Sequence, residues 1–309
     1  MSRCRSLKER AIRCRGLRDY GWIAVDFFFA ISGFVICLVV TSPRFEPLSF
    51  MIRRAFRIYP LWIATSLAFF LSLLCFGRVD GYGTPSFFLY SLTLLPTNGF
   101  PFYDLGWSLQ HEMLFYVLAA VMTPWTGLYG VALVLITGLV ADRVFELPWY
   151  LHQYFFYYGN FLAGIAAFLA YRGGARVGFL LPLIAGMVAF RWAPGRAFFP
   201  IALFFWLVAF VNLHAATRAG RLGVLLGDTS YSIYLLHPLV FHAFEQVLRR
   251  GPLPPLWVQE PLRYVALMLV CCLALASWRF FERPMIQLGN RVDRYMRSRR
   301  SAVFVASAD

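Results

Sequence analysis

Five stretches of this chain hold ionisable side chains inside apolar runs, where each needs a physical reason to be there. Asp26 stands in GWIAVDFFFAISGFVI, and a carboxylate in such a setting is costly unless it faces a protein interior or a wet cavity. It reads either as a site carboxylate near a membrane surface or as a helix-start residue satisfied by backbone amides or an arginine. Ser32 and Gly33 on the same helix allow a neighbour to approach closely. In FMIRRAFRIYPLW, Arg53 and Arg57 are four residues apart and Arg54 and Arg57 three, so a helix presents them as one cationic patch. Guanidinium forks grip phosphate oxygens in pairs, which suits a phosphate-rich donor such as coenzyme A. A stop-transfer cluster resting on lipid headgroups has the same spacing.

LGWSLQHEMLFYVL places His111 and Glu112 at the start of an apolar run. Successive helical residues point about 100° apart, so the two do not face one cavity equally well. Glu112, set among aromatics with Tyr116 nearby, is the better polar site group, while Trp107 reads also as an interfacial anchor. In LGDTSYSIYLLHPLVF, Asp228 or Thr229 is a helix-start signal and His237 precedes Pro238. That histidine serves either as an acid or base or as a hydrogen-bonding strut between helices. In SWRFFERPMI, Arg279, Glu282 and Arg283 read as an ion-paired helix end stopped by Pro284. The residues singled out for catalysis are Glu112, Asp26 and His237, and those for donor binding are Arg53, Arg54 and Arg57. No metal site is indicated.

The elements that must position these groups are set by composition. Of 309 residues, 60 % are hydrophobic, 18 % aromatic and 14 % charged, with a mean hydropathy of +0.63. That excludes a water-soluble enzyme, a disordered chain and a secreted disulfide scaffold. Six cysteines show neither CxxC spacing nor a framework, so those in apolar runs read as small hydrophobes. The net charge is +14, and in a chain this apolar it speaks for cytoplasmic loops, anionic lipid and phosphate-bearing substrates rather than nucleic acid.

A helix needs about 20 mostly apolar residues to cross a bilayer. Such runs fall near 20–42, 59–77, 107–125, 127–142, 155–171, 177–190, 198–214, 229–248 and 262–281. Residues 85–95 are too short to cross and read as re-entrant or interfacial. The expected fold class is therefore all-α, a polytopic helical membrane protein of about nine spans. Its parts are a basic N-terminal segment (1–19), one transmembrane domain (20–286) and a basic cytoplasmic tail (287–309).

Positive charge near span ends marks the cytoplasmic side. With the C-terminus inside, fifteen basic residues fall in inner loops and seven in outer ones, but the seven in residues 1–18 fall outside. The charge count asks for one further span ahead of residue 20.

Five blocks in order, GWIAVDFFFAISGFVI, FMIRRAFRIYP, GWSLQHEMLFY, LGDTSYSIYLLHPLV and FFERPMI, resemble the membrane-bound acyltransferase 3 family over about residues 20–286. The third block is most similar to the branch that acylates exopolysaccharides. The resemblance implies a multi-pass protein of the bacterial inner membrane. It would move an acyl group, acetyl foremost, from acyl-CoA to a hydroxyl of a cell-envelope or lipid-linked carbohydrate. Acyl-CoA is then a co-substrate, and no bound cofactor is expected. Arg53, Arg54 and Arg57 match the family's arginine cluster, and Asp26 and Glu112 match polar positions of its other motifs. The family's first span carries an arginine and, about three helical turns on, a histidine thought to act in catalysis; no residue here matches that histidine. The expectation is a misassigned start or a truncated descendant. Two other functions fit the same blocks: a non-catalytic member of the fold, and a transporter of lipid-linked sugars.

Overall fold

Helix follows hydropathy along this chain because a backbone withdrawn from water must satisfy its amides within its own segment. The computed structural model describes residues 17–75, 84–173, 186–187, 199–211, 218–248 and 255–306. The basic segment before residue 17 and nearly all of the expected span at 177–190 lie outside them. Among the described residues the regular structure is entirely helical. In chain order the helices are α1 (Leu17–Val40), α2 (Pro47–Cys75), α3 (Pro85–Leu92), α4 (Gly106–Val144), α5 (Trp149–Phe156), α6 (Tyr158–Arg172), α7 (Phe199–Val211), α8 (Arg218–Leu248), α9 (Leu256–Ser277) and α10 (Arg283–Ala306). A π-turn, Trp278–Glu282, joins the last two.

Among the described residues four stretches are long and apolar enough to cross a membrane: Ile23–Val40, Pro47–Cys75, Gly106–Val144 and Trp257–Arg300. On α2 the residues Ile63, Leu67, Leu71 and Leu74 are exposed while Trp62, Ser66, Phe69 and Leu73 are buried. An apolar stripe turned outward at helical spacing is what lipid contact requires, and it marks a multi-pass membrane protein. Gly127 breaks α4 with φ 62 and ψ −162, a conformation a side chain would strain, so 107–125 and 127–142 are two helical pieces as their separation implies. The short α3 is about 12 Å long and too short to cross alone.

Three local expectations are corrected. Asp228 and Thr229 do not start a helix, because α8 begins at Arg218 and runs through them. Thr229 Oγ1 instead donates back to the Leu225 carbonyl at 2.8 Å, a bond that lets threonine sit inside a helix. Pro284 does not stop the helix either. The Arg283 N–H reaches the Trp278 carbonyl, five residues back, and that wider turn restarts the ladder so that Pro284 falls at the second position of α10, where a missing N–H costs little. Glu282, finally, turns inward, and among the described residues no ion pair joins it to Arg279 or Arg283.

The chain divides into two compact units, Met1–Val39 with Leu128–Asn212, and Val40–Gly127 with Leu213–Asp309. In the first, α1 crosses α6 backbone to backbone. A Cβ on Gly164 would lie 2.1 Å from the Ala30 carbonyl oxygen, and one on Gly33 would lie 2.5 Å from that of Phe161. Small residues therefore set this crossing, as Gly33 implies. Phe29 stacks obliquely on Phe161 at 5.0 Å and Phe27 lies parallel to Trp206 at 5.2 Å, filling the space around it.

In the second unit α2 is the axis. Its Trp62 is fully buried, donates from Nε1 to the Leu92 carbonyl at 3.2 Å and lies against Gly106, where a Cβ would meet the indole at 2.4 Å. Tyr59 donates to the Thr93 carbonyl at 2.8 Å, and Phe70 stacks on Phe88 at 4.6 Å. These contacts hold α3 and the following loop on α2. Helix α10 packs along the N-terminal half of the same helix: a Cβ on Gly289 would lie 2.5 Å from Phe56 Cβ. Arg297 bridges Asp293 at 3.4 Å, Glu46 at 3.4 Å and the Ser49 hydroxyl at 2.9 Å.

Candidate functional site

The three arginines of α2 are neighbours by helical spacing, yet each takes a different partner. Arg53, 41 % exposed, reaches Asp293 of α10 at 3.8 Å. Arg54 lies over two aromatic faces, 5.2 Å from the centre of Tyr116 and 5.5 Å from that of Phe50. Such cation–π contacts contribute about 0.5–2 kcal/mol and leave the guanidinium hydrogens available at the ring edge. Arg57 is half-buried, and its charge acts on Glu282 and on the Tyr231 hydroxyl.

Glu112 is buried on α4 and accepts a hydrogen bond from Tyr116 one turn on. That phenol belongs to the ring on which Arg54 rests, so the carboxylate and the guanidinium share one aromatic support. The charge of Glu112 also acts on Tyr231, as do those of Glu282 and Arg57. Tyr231 is buried on α8 and donates to the Ile58 carbonyl of α2 at 2.7 Å, beside the interruption that Pro60 makes in that helix. Next to it Ser232 donates to Glu282, and the Ser277 hydroxyl lies 2.8 Å from Ser232 Oγ. Helices α2, α4 and α8 and the π-turn thus bring two carboxylates, two arginines and two tyrosines into one cluster. Side chains alone satisfy part of this buried polarity, and such a network specifies its geometry tightly.

His111 is buried one residue before Glu112, and its Nδ1 lies 2.6 Å from the Trp107 carbonyl. His237 sits on α8 with Nδ1 2.8 Å from the Tyr234 carbonyl and 3.2 Å from that of Ile233. The cause is local. Pro238 has no N–H to offer the carbonyl four residues back, which is that of Tyr234, and the imidazole takes its place. Tyr234 is tied in turn to Ser108 of α4 at 2.8 Å.

Asp26 belongs to the first unit. It is 2 % exposed, and Asn160 of α6 donates from Nδ2 to its Oδ1 at 2.8 Å. Both side chains line a cavity of about 270 Å³ together with Arg143, Gly159 and apolar residues of α4, α5 and α7.

The sequence singles out Glu112, Arg54, Arg57 and Asp26 and leaves out four residues that stand around them. Tyr231 and Ser232 lie in the stretch whose small polar face is visible, but nothing local says which of its hydroxyls meets a carboxylate 50 residues on. Glu282 looks like a surface ion pair because arginines flank it. Asn160 carries the clearest unread signal, a lone carboxamide inside YYGNFLAGIAAFLAY.

The profile of a family described as "Acyltransferase domain" matches residues 21–278. The chain is similar to the exopolysaccharide production protein ExoZ of Rhizobium meliloti (strain 1021), 28 % identical over 306 residues that cover 87 % of this chain and 90 % of that one. It is also similar to nodulation protein 10 of Rhizobium leguminosarum bv. viciae, 24 % identical over 318 residues, 85 % of this chain and 82 % of that one. No solved structure matches it.

Proposed function

Because the chain belongs to this acyltransferase family, and is thus a membrane acyltransferase, we propose that it moves an acetyl or other short acyl group from acyl-CoA to a hydroxyl of an exopolysaccharide carbohydrate. The proposed setting is the bacterial inner membrane. The likeness to an exopolysaccharide production protein supports the acceptor class. The observation that carries the reading is Tyr116, whose hydroxyl donates to Glu112 while its ring carries the Arg54 guanidinium.

Acyl transfer to a hydroxyl needs a proton acceptor, a positive charge where the oxyanion develops and a grip on the donor. In this reading the sugar oxygen attacks the thioester carbonyl carbon and its proton passes to Glu112. The C–S bond then breaks, and coenzyme A leaves as a thiolate that takes the proton back. The Tyr116 hydrogen bond orients the Glu112 carboxylate. Arg57 stands near enough to Glu282 for its charge to act there, and in this reading it serves the developing oxyanion. Arg54 has no carboxylate within ion-pair distance among the described residues and suits the donor's phosphates. Arg53, paired with Asp293, contributes least to donor binding.

The test uses the full chain in lipid nanodiscs, with acetyl-CoA binding and acetyl transfer to de-O-acylated exopolysaccharide measured side by side. Arg54→Ala is expected to weaken acetyl-CoA binding about tenfold, the worth of one charge-assisted contact. Wild-type protein that binds no acetyl-CoA, or an Arg54→Ala and Arg57→Ala pair with unchanged binding and transfer, sinks the reading.

A further inference from the structure

We propose that the cavity of the first unit is a binding site for an uncharged sugar ring, the acceptor's, with Asp26 and Asn160 reading its hydroxyls. The identification of the ligand as the acceptor rests on the acyl-transfer reading; the site itself rests on the geometry of α1, α4, α5, α6 and α7.

Asp26 and Asn160 are joined at 2.8 Å across 134 residues of sequence and are both buried. An acid–amide pair in an apolar helix stack costs free energy and has two ordinary explanations, a staple between helices or a ligand site. The staple is superfluous here. The crossing of α1 with α6 is already fixed by Gly33 and Gly164, whose backbones touch the facing helix so closely that no side chain fits between. The pair also borders open space: both residues line the cavity of about 270 Å³. That volume is at the small end of ligand pockets and suits one ring rather than a polymer or a nucleotide.

The lining selects the ligand's chemistry. A carboxylate on the wall repels phosphate and pyrophosphate, so this is no second grip on coenzyme A. Arg143 on the same wall offsets a preference for cations. Carboxylate, carboxamide and guanidinium together offer acceptors and donors at short range, as an array of hydroxyls demands. Phe156, Phe199 and Pro200 supply flat apolar surface for the C–H face of a sugar.

One wall is held in place by a second polar pair. Asp142, at the end of α4, has a side chain only 2 % exposed, and its Oδ1 lies 2.5 Å from His152 Nδ1 on α5. His152 is one turn before Phe156, and their rings are 6.0 Å apart. The pair therefore ties α5 to α4 and fixes Phe156 in the cavity wall. His152 is in this sense a positioning residue.

The experiment uses the full chain in nanodiscs and, as probe, neutral oligosaccharides released from the host's own exopolysaccharide and de-O-acylated. Calorimetry reads sugar and acetyl-CoA binding separately, and transfer kinetics give KM for each. Val140→Trp fills the cavity from a half-exposed position that tolerates bulk, which guards against loss of fold. Val140→Trp and Asp26→Ala are each expected to raise the sugar Kd and KM about tenfold and leave acetyl-CoA binding within twofold. His152→Ala is expected to raise the sugar KM without moving that for acetyl-CoA. Sugar binding that is absent in wild-type protein, or unchanged in folded Val140→Trp, overturns the proposal; so does a loss of acetyl-CoA affinity in Val140→Trp. Sugar binding that Val140→Trp abolishes, in a wild type that transfers no acyl group, upholds the site and overturns the acyl-transfer reading instead.

Discussion

The two units bury polarity in different ways. The first is a stack of apolar helices crossed at glycines, with an acid–amide pair set against a cavity and an acid–imidazole pair at its edge. The second is threaded by charge: Glu112, Glu282 and Asp293 are buried and each meets a tyrosine, a serine or an arginine from another turn or helix. Backbone proximity holds the first, so its tolerance is a question of size. Hydrogen bonds and ion pairs organise the second, so its tolerance is a question of matching donors to acceptors.

The sharpest way to break this contrast is to add bulk where the backbones touch. Gly164→Leu places side-chain atoms where even a Cβ would be 2.1 Å from the Ala30 oxygen, and the expected cost is roughly 3 kcal/mol or more. The protein should then fail to give a monodisperse peak in detergent. A normal peak with wild-type thermal stability contradicts the crossing.

Next in size is Glu112→Gln, which keeps the shape and still accepts from Tyr116 but removes the charge. Acetyl transfer is expected to fall about 100-fold or more while the melting temperature holds. Full activity in this variant makes the second unit's carboxylates purely structural.

Glu282→Ala comes third. It leaves the buried Ser232 hydroxyl without its carboxylate acceptor and takes away a negative charge near Arg57, at an expected cost of about 2 kcal/mol of thermal stability. Glu282→Gln should recover part of it.

The smallest effect is expected from Asp293→Ala. Its partners Arg53 and Arg297 are each more than a third exposed, so solvent screening holds the loss to about 1 kcal/mol at most. Limited proteolysis of α10 should speed up at low salt, and wild type and variant should converge at high salt.

Much of the fold is legible in the sequence. Hydropathy places α1, both pieces of α4, α6 and α7 within a few residues of where they lie, because the need for an apolar run is one-dimensional; α2 starts twelve residues before its expected span, since its first turns carry the arginines. Gly33 foretells a close crossing for the same kind of reason, since it takes no partner to see that a side chain is missing. Pro284 misleads: its effect on a helix depends on where the hydrogen-bond ladder restarts, and the wider turn at Trp278–Glu282 has no local signature. Asp228 and Thr229 mislead similarly, since a residue that caps helices also fits inside one when its hydroxyl bonds backward.

Residue types by themselves determined that this chain lives in a membrane, that it is helical and that Asp26, Glu112 and the arginines of α2 are costly where they stand. Each of those facts is a property of a side chain and of its immediate apolar neighbours. Tertiary structure alone decided that Arg53 pairs with Asp293, that Arg54 and Glu112 share Tyr116 and that Asp26 meets Asn160 beside a cavity. A buried charge announces its need for a partner, but which partner meets it is settled by helix crossings between segments more than 100 residues apart.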